Sequence, residues 1–347
     1  MANGYRAETE DKNIAKINEI KATLPSYVVD YMVELQKKTT TQTRLGYIRD
    51  LQTFFEYVVE ADTSFNHICS KDVSLECLNA LDLDFFNNYI SYLELYEKNG
   101  RTRKNSRISQ RRKLASLRSF YSYLFTSKKI NNNVLPLVTP PKVEKKQIIR
   151  MDKEEAREFI DTVEFGEGKL SSQEKAYYDK YSTRDFAIIS LLLGTGIRVS
   201  EIVGLDIKDV DLKHYRLRVI RKGKKEDTVY FSDEIGETIK LYLAYRDNIS
   251  PFDETHKDAL FLSCQRKRMS VRGMEKLIKK YANRSNQLAK ITPHKLRATF
   301  GTLFYEETGD IFLTAELLGH SSVSTTSKYY SEVTDKRKKA NRDRLKY

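Results

Sequence analysis

The 347-residue sequence contains only three cysteines, Cys69, Cys77 and Cys264, and none of them has the C-x-x-C spacing of a zinc or redox site. This small, odd number excludes a disulfide framework and favours a reducing compartment, so we expect a cytoplasmic protein. Long hydrophobic runs are also absent. The longest, Phe186 to Leu193, is far shorter than the roughly 20 residues that cross a bilayer, and the polar amino terminus does not resemble a signal peptide.

Glycine and proline are scarce, with 14 and six residues, and three of the prolines fall within residues 131–150. That segment has no apolar periodicity, so we predict a linker there. A chain of this length accommodates two domains of roughly 150 residues each. We therefore predict a polar extension at 1–20, a helical domain at 21–130, a second domain at 151–330 and a tail at 331–347.

Acidic residues are outnumbered by basic ones, 48 to 61, which gives a net charge of +13 and indicates a polyanionic partner. The segment 101–118 contains eight basic residues and no acidic one, whereas solvated faces usually mix both signs. A second basic run occupies 265–272 at the start of a predicted helix. We predict DNA phosphate contacts for both runs: Arg101, Arg103, Lys104, Arg107, Arg111, Arg112, Lys113 and Arg118, then Arg266, Lys267, Arg268 and Arg272.

Apolar residues recur at helical spacing through most of the chain. In the first half this pattern predicts a bundle of helices at 24–35, 41–59, 83–96 and 106–125. In the second half a capping box at 152–155 starts a helix, a buried helix at 185–193 ends at Gly194, and Arg198 starts the next one. Short β-type runs at 216–220 and 227–231 flank a basic turn and predict a hairpin, with a further strand at 259–262.

The stretch from Thr292 to Tyr330 concentrates the residues that suggest chemistry. Thr292 followed by proline predicts a helix that begins at 293 and ends at Gly309, with His294 and Arg297 on one face. A second short helix at 310–318 stops at a glycine, and His320 follows at once. Residues 324–326 predict the cap of a third helix that carries two adjacent tyrosines.

This pattern resembles the signature of the tyrosine recombinases, the family of phage integrases and Xer proteins. The family has H-x-x-R, then L-G-H, then a nucleophilic tyrosine nine positions after the second histidine, and it also has G-x-R-x-S-E and a turn lysine. Two positions depart from it, because Ala298 and Ser331 stand where many relatives have histidine. The resemblance covers roughly residues 20–345 and is carried by Arg198, Glu201, Lys222, His294, Arg297, His320 and Tyr329.

The resemblance implies a mainly α fold that forms a clamp around DNA. Its parts are an amino-terminal helical bundle of the SAM-like, core-binding type and a mixed α+β catalytic domain with a small antiparallel sheet. It also implies a division of roles in the site. By this resemblance, Arg198, Arg297 and His320 hold the phosphate, and Glu201 supports the arginines. His294 is the base, Lys222 is the acid and Tyr329 is the nucleophile. The chemistry needs no metal, cofactor or ATP, and the sequence contains neither a phosphate-binding loop nor a magnesium-type acidic cluster.

The expected function is site-specific recombination of double-stranded DNA through a 3′-phosphotyrosyl intermediate, carried out by four subunits. The tail at 331–347 is then a candidate for exchange between neighbouring subunits, and the need for an accessory protein is open. The length and the segment 24–35 favour Xer-type chromosome dimer resolution. Integration and excision of a phage or transposon, a type IB topoisomerase and a non-catalytic DNA-binding protein are the alternatives, and Tyr330 is the alternative nucleophile.

Overall fold

The computed structural model describes residues 4–61, 69–98, 100–144, 150–166, 171–221, 223, 225–284 and 291–319. The chain divides into two compact units, Met1–Lys145 and Lys146–Tyr347, and the division falls within the predicted linker. Among the described residues helices dominate both units, and each unit has one small antiparallel sheet, so the predicted mainly α fold class is confirmed. In the described part of the chain, no helix is long and apolar enough to cross a bilayer.

The first unit is a helical bundle around an aromatic core. Its elements are α1 Gly4–Lys21, α2 Ser26–Gln36, α3 Thr41–Ala61, α4 Leu75–Ala80, α5 Leu83–Tyr92, β1 Leu95–Lys98, β2 Arg101–Lys104 and α6 Arg107–Thr126. Apolar residues at helical spacing on α3 and α6 bury the rings that form the core, among them Phe54, Phe55, Phe120 and Tyr121. Side-chain caps fix two helix starts, because Asp82 accepts from the Phe85 N–H and Ser106 from the Ser109 N–H.

Helix α1 occupies the segment that we predicted as a polar extension, and that prediction is wrong. The helix packs on α3 and buries Ile17 and Ile20 in the core of the first unit. Most of its other residues are polar, so apolar periodicity gave no signal.

The predicted helix at 83–96 is also wrong at its end. Helix α5 stops at Tyr92, and the next residues form the antiparallel hairpin β1–β2, in which Leu95 pairs with Lys104 and Lys98 with Arg101. Gly100 follows β1 with a left-handed φ of 66°, and the dipeptide Asn99-Gly100 was the sequence signal for this turn. The hairpin is tied to α3 by the Lys98 ammonium, which lies 2.7 Å from the Glu56 carboxylate.

The first part of the predicted linker packs onto the first unit. Leu135 and Val138 are buried in its core, and Arg118 on α6 donates hydrogen bonds to the carbonyl oxygens of both residues, at 3.2 and 2.6 Å. Residues 135–138 therefore belong structurally to the helical bundle.

The second unit is built around the long helix α8, whose carboxy-terminal half, from residue 184 onward, is mostly buried. Its elements are α7 Lys153–Phe165, α8 Ser172–Thr195, α9 Val199–Val203, β3 Val210–Asp211, β4 Arg216–Ile220, β5 Glu226–Tyr230, α10 Asp233–Arg246, α11 Val271–Ala282, α12 Pro293–Thr308 and α13 Ile311–Leu317. Helix α8 packs against α7, α10 and α12. The predicted capping box is confirmed at Asp152 and Glu155, and the predicted β-hairpin is confirmed as β4–β5.

Three local predictions for this unit need correction. Helix α8 is much longer than 185–193 and ends at Gly196 instead of Gly194. The predicted strand at 259–262 forms only isolated bridges, from Ala259 to Asp206 and from Leu262 to Arg268. The basic run at 265–272 precedes α11, so three of its four cations lie in a loop and not on the helix.

Candidate active site

Helices α12 and α13 form the frame of the site, and both have the predicted ends. Pro293 occupies the first turn of α12, where its missing N–H leaves no hydrogen bond unmade, and Gly309 ends the helix with a φ of 72°. The Asp310 carboxylate then accepts from the N–H groups of Phe312 and Leu313 and starts α13. Gly319, with a φ of 56°, follows the last turn of α13 and stands directly before position 320.

Arg198 is held at the start of α9 by Glu201. The Arg198 N–H donates to Glu201 Oε2 at 2.9 Å, and its Nη1 donates to Oε1 of the same buried carboxylate at 2.9 Å. The Arg198 Nη2 also donates to the Gly319 carbonyl oxygen at 3.2 Å. With 36% of its side chain still exposed, Arg198 is both fixed in direction and open to a ligand.

Arg297 approaches the same turn from α12. Its guanidinium is buried, and Nη1 donates to the Gly196 carbonyl oxygen at 2.5 Å while Nη2 donates to the Leu318 carbonyl oxygen. Gly196, at the end of α8, has a φ of 62°. Arg297 therefore links the ends of α8 and α13, and it joins Arg198 on the turn at 318–319.

A third guanidinium completes this arrangement, and no sequence pattern predicted a role for it. Arg221, at the end of β4, donates to the Leu317 carbonyl oxygen at 3.0 Å. The last carbonyls of a helix have no partner within it and mark the negative end of its dipole. Arg221 satisfies the last carbonyl of α13, and Arg297 and Arg198 satisfy the two carbonyls of the turn that follows, so three guanidiniums meet at this helix end.

His294 lies in the first turn of α12, one turn before Arg297. Partial desolvation and the nearby guanidiniums of Arg297 and Arg198 lower the pKa of His294 below its ordinary value. The ring is therefore neutral near pH 7 and can accept a proton. The described structure thus brings together Arg198, Arg297, His294 and Glu201, while the predicted catalytic residues Lys222, His320 and Tyr329, and the alternative Tyr330, lie outside the described residues.

The eight basic residues of the run at 101–118 fall into two groups. Most are exposed, on β2 and the amino-terminal half of α6: Arg101, Arg103, Lys104, Arg107, Arg111 and Arg112. Lys113 is buried and lies 3.2 Å from the buried Asp50 carboxylate, which Arg112 and Ser116 also contact. Arg118 donates to the carbonyl oxygens of Leu135 and Val138. Because Lys113 and Arg118 are both engaged within the protein, we remove them from the proposed DNA surface.

The second basic run divides in the same way. Arg266 and Arg272 are exposed, and the Lys267 ammonium lies 3.9 Å from the centre of the Phe252 ring. Arg268 is almost buried and lies 2.5 Å from the Asp206 carboxylate, with a further hydrogen bond to the Leu205 carbonyl. These contacts hold the loop against the Leu205–Asp206 segment, so we remove Arg268 from the proposed DNA surface as well.

Comparison with known proteins identifies the family of the chain. Residues 150–337 match the phage integrase family. The chain is 31% identical to the tyrosine recombinase XerS of Streptococcus uberis, over 94% of this chain and 97% of that protein. Among solved structures, its fold resembles the XerH site-specific recombinase bound to a palindromic difH substrate, with a TM-score of 0.64, 20% identity and coverage of 87% and 79% of the two chains. It also resembles the Tn1549 transposon integrase bound to circular intermediate DNA, with a TM-score of 0.63, 18% identity and coverage of 86% and 93%. The chain therefore belongs to the phage integrase family and is a tyrosine recombinase, an enzyme that cleaves and rejoins DNA at specific sites.

Proposed function

We propose that Tyr329 attacks the scissile phosphate and holds the cut strand as a 3′-phosphotyrosyl intermediate. The observation that supports this most is the convergence of Arg198 and Arg297 on the turn that precedes His320. Guanidiniums remain charged, and they bind non-bridging phosphate oxygens with a fixed fork geometry. The two arginines therefore stabilise the charge that grows on those oxygens as the tyrosine attacks.

Two proton transfers accompany this attack. The phenol has an ordinary pKa of about 10, so a base must take its proton, and His294 has the lowered pKa of a neutral imidazole. The departing 5′-oxygen needs a proton, which we assign to Lys222. The P–O5′ bond breaks as the P–O(Tyr329) bond forms, and the 5′-hydroxyl of another strand reverses this exchange without ATP.

DNA engagement rests on the exposed cations of both units. We propose that the DNA phosphates are contacted by the exposed basic residues of β2 and α6 in the first unit and by Arg266, Lys267 and Arg272 in the second. Exchange of two duplexes requires four cleavages, so the active assembly is a homotetramer on DNA. We place this assembly in the cytoplasm. The tail at 331–347 then exchanges between subunits, and an accessory protein that switches cleavage on is compatible with this scheme.

For the biological role we propose Xer-type resolution of chromosome dimers. The support is the similarity to XerS along nearly the whole of both chains. The fold similarity to the Tn1549 transposon integrase favours a second candidate, integration and excision of a mobile element. Deletion of the gene distinguishes them, since dimer resolution predicts chained cells with undivided chromosomes, whereas the second role predicts loss of excision of a flanking element.

A plasmid assay tests the reaction itself. The substrate is a supercoiled plasmid with two copies of a candidate inverted repeat taken from the DNA beside the coding sequence, and the control plasmid lacks the repeats. We expect resolution into two circles only with the repeats and only with an intact Arg297. Relaxation of both plasmids without exchange would indicate a type IB topoisomerase, and binding without any strand exchange would favour the non-catalytic alternative.

A further inference from the structure

Arg221 is a buried cation to which the family signature gives no role. It stands at the end of β4, and 8% of the residue is exposed. Its N–H donates to the Lys225 carbonyl oxygen at 2.7 Å and closes the basic turn of the β4–β5 hairpin. The side chain points away from that turn toward the arginine site.

The Arg221 guanidinium joins three elements of the second unit. Its Nε lies 2.8 Å from Asp227 Oδ2 on β5, and its Nη1 lies 3.3 Å from Glu201 Oε2 on α9. Its Nη2 reaches the carbonyl of Leu317 at the end of α13. Glu201 is the carboxylate that also fixes Arg198, so one buried ion network holds the hairpin and the phosphate-binding arginine together.

Gly319 shows how closely α13 rests on this network. A Cβ at position 319 would lie 2.8 Å from both Cζ and Nε of Arg221, closer than real Cβ contacts allow. Position 319 therefore requires glycine for two reasons, because a side chain there would collide with Arg221 and because the backbone has a left-handed φ. The turn before position 320 lies directly against the Arg221 guanidinium.

We propose that Arg221 is a positioning residue that anchors the basic turn to the Arg198–Glu201 pair and so places Lys222, the next residue, for protonation of the leaving oxygen. The planar guanidinium of Arg221 donates in three fixed directions, and neither a lysine nor a glutamine can reproduce this set of donors. The inference rests on the proposed function, because it needs Lys222 to act as the acid. It predicts that loss of Arg221 slows departure of the 5′-oxygen more than it weakens DNA binding.

The test uses a nicked DNA site with either an ordinary scissile phosphate or a 5′-bridging phosphorothiolate. In the second substrate the P–S5′ bond breaks and a thiolate departs without a proton, so no acid is required. On the ordinary DNA we expect Arg221→Gln and Arg221→Lys to form the covalent adduct about 10- to 100-fold more slowly than wild type. On the phosphorothiolate we expect both to react within about twofold of wild type, as Lys222→Ala also should.

Matched variants separate positioning from folding. Arg216→Gln removes another arginine–carboxylate pair from β4, at Asp211, and should react like wild type on both substrates. If Arg221→Gln does not fold, Asp227→Asn takes its place in the test. It loosens only one Arg221 contact and should give a weaker defect of the same kind. DNA affinity and melting temperature are measured for each protein.

Four results would contradict the inference in distinguishable ways. Wild-type rates for Arg221→Gln on ordinary DNA would remove Arg221 from the reaction. A defect that parallels lost affinity or melting temperature would make its role merely structural. If the phosphorothiolate restored the rate of Lys222→Ala but not of the Arg221 variants, Arg221 would have no part in protonation of the leaving oxygen. Failure to rescue Lys222→Ala would overturn the assignment of the acid and this inference with it, whereas absence of any wild-type adduct would contradict the proposed function.

Discussion

At the scale of single residues, the site is defined by cations that the protein itself holds in place. Arg198, Arg221 and Arg297 donate to the carbonyl oxygens of three consecutive residues, at positions 319, 317 and 318. Glu201 is the carboxylate shared by the first two of these arginines. Fixing charged donors before the substrate arrives is what lets them stabilise a transition state without reorganisation.

The lowered pKa of His294 gives the first prediction. Arg198→Gln removes one of the charges that depress it, so the His294 pKa should rise toward the ordinary value of 6.5 while remaining lowered by desolvation and by Arg297. NMR titration of the imidazole measures this without any dependence on activity. Arg216→Gln should leave the titration unchanged, and a His294 pKa unaffected by Arg198→Gln would show that the two side chains do not interact.

Gly196 carries a second residue-scale prediction. Its φ is 62°, and an added Cβ would lie 2.3 Å from the Phe300 ring. We expect Gly196→Ala to lower the free energy of unfolding by about 1–3 kcal/mol, and to slow cleavage because Arg297 binds the Gly196 carbonyl. Gly100→Ala has a comparable φ of 66° but no atom within 4 Å, so it should be milder in urea unfolding. Equal costs for the two variants would argue against the contact with Phe300.

At the scale of elements, Asp50 anchors α6 to α3 in the first unit. The buried carboxylate contacts Lys113, Arg112 and Ser116, and only 9% of the Lys113 side chain is exposed. Removing the carboxylate leaves a buried ammonium without its counter-ion. The basic face of α6 is therefore oriented by an acidic residue beneath it.

Asp50→Ala should accordingly lower the free energy of unfolding by about 3–5 kcal/mol. The double variant Asp50→Ala, Lys113→Met should recover much of this loss, because it also removes the orphaned charge. Glu56→Gln, which breaks the more exposed pair with Lys98, should cost about 1 kcal/mol or less. Urea unfolding followed by circular dichroism measures all three, and a double variant no more stable than Asp50→Ala would contradict the ion-pair account.

Sequence patterns predicted elements where one signal dominated. Helix α12 was predicted from Pro293 to Gly309, and α6 was predicted from Ser106 and its apolar stripe, because caps and periodicity act locally. Helix α1 was missed since few of its residues are buried. Arg221 was missed because its partners Glu201 and Leu317 are 20 and 96 positions away, so only the folded chain reveals them.

At the scale of the whole molecule, the basic residues that give the chain its net charge of +13 are of two kinds, buried and exposed. Lys113 and Arg268 pair with the buried carboxylates of Asp50 and Asp206, and Arg118 donates to backbone carbonyl oxygens, whereas the cations of β2 are exposed. Composition alone could not separate these groups. A count of basic residues therefore overstates the number of phosphate contacts.

Salt dependence of DNA binding tests this division. Each lost phosphate contact should reduce the slope of log affinity against log salt by about 0.9. We expect Arg111→Gln to produce such a change and Lys113→Met to leave the slope unaltered. Fluorescence anisotropy from low to moderate salt measures both, and a reduced slope for Lys113→Met would return that residue to the DNA surface.

The central claim is that Tyr329 forms a covalent bond to DNA within the site built around Arg198 and Arg297. The most direct measurement incubates the full chain with a nicked DNA that contains the candidate inverted repeat and scores an SDS-resistant adduct. We predict an adduct for wild type and for Tyr330→Phe, and none for Tyr329→Phe despite unchanged DNA binding. An adduct that persists in Tyr329→Phe and disappears in Tyr330→Phe would contradict the assignment of the nucleophile.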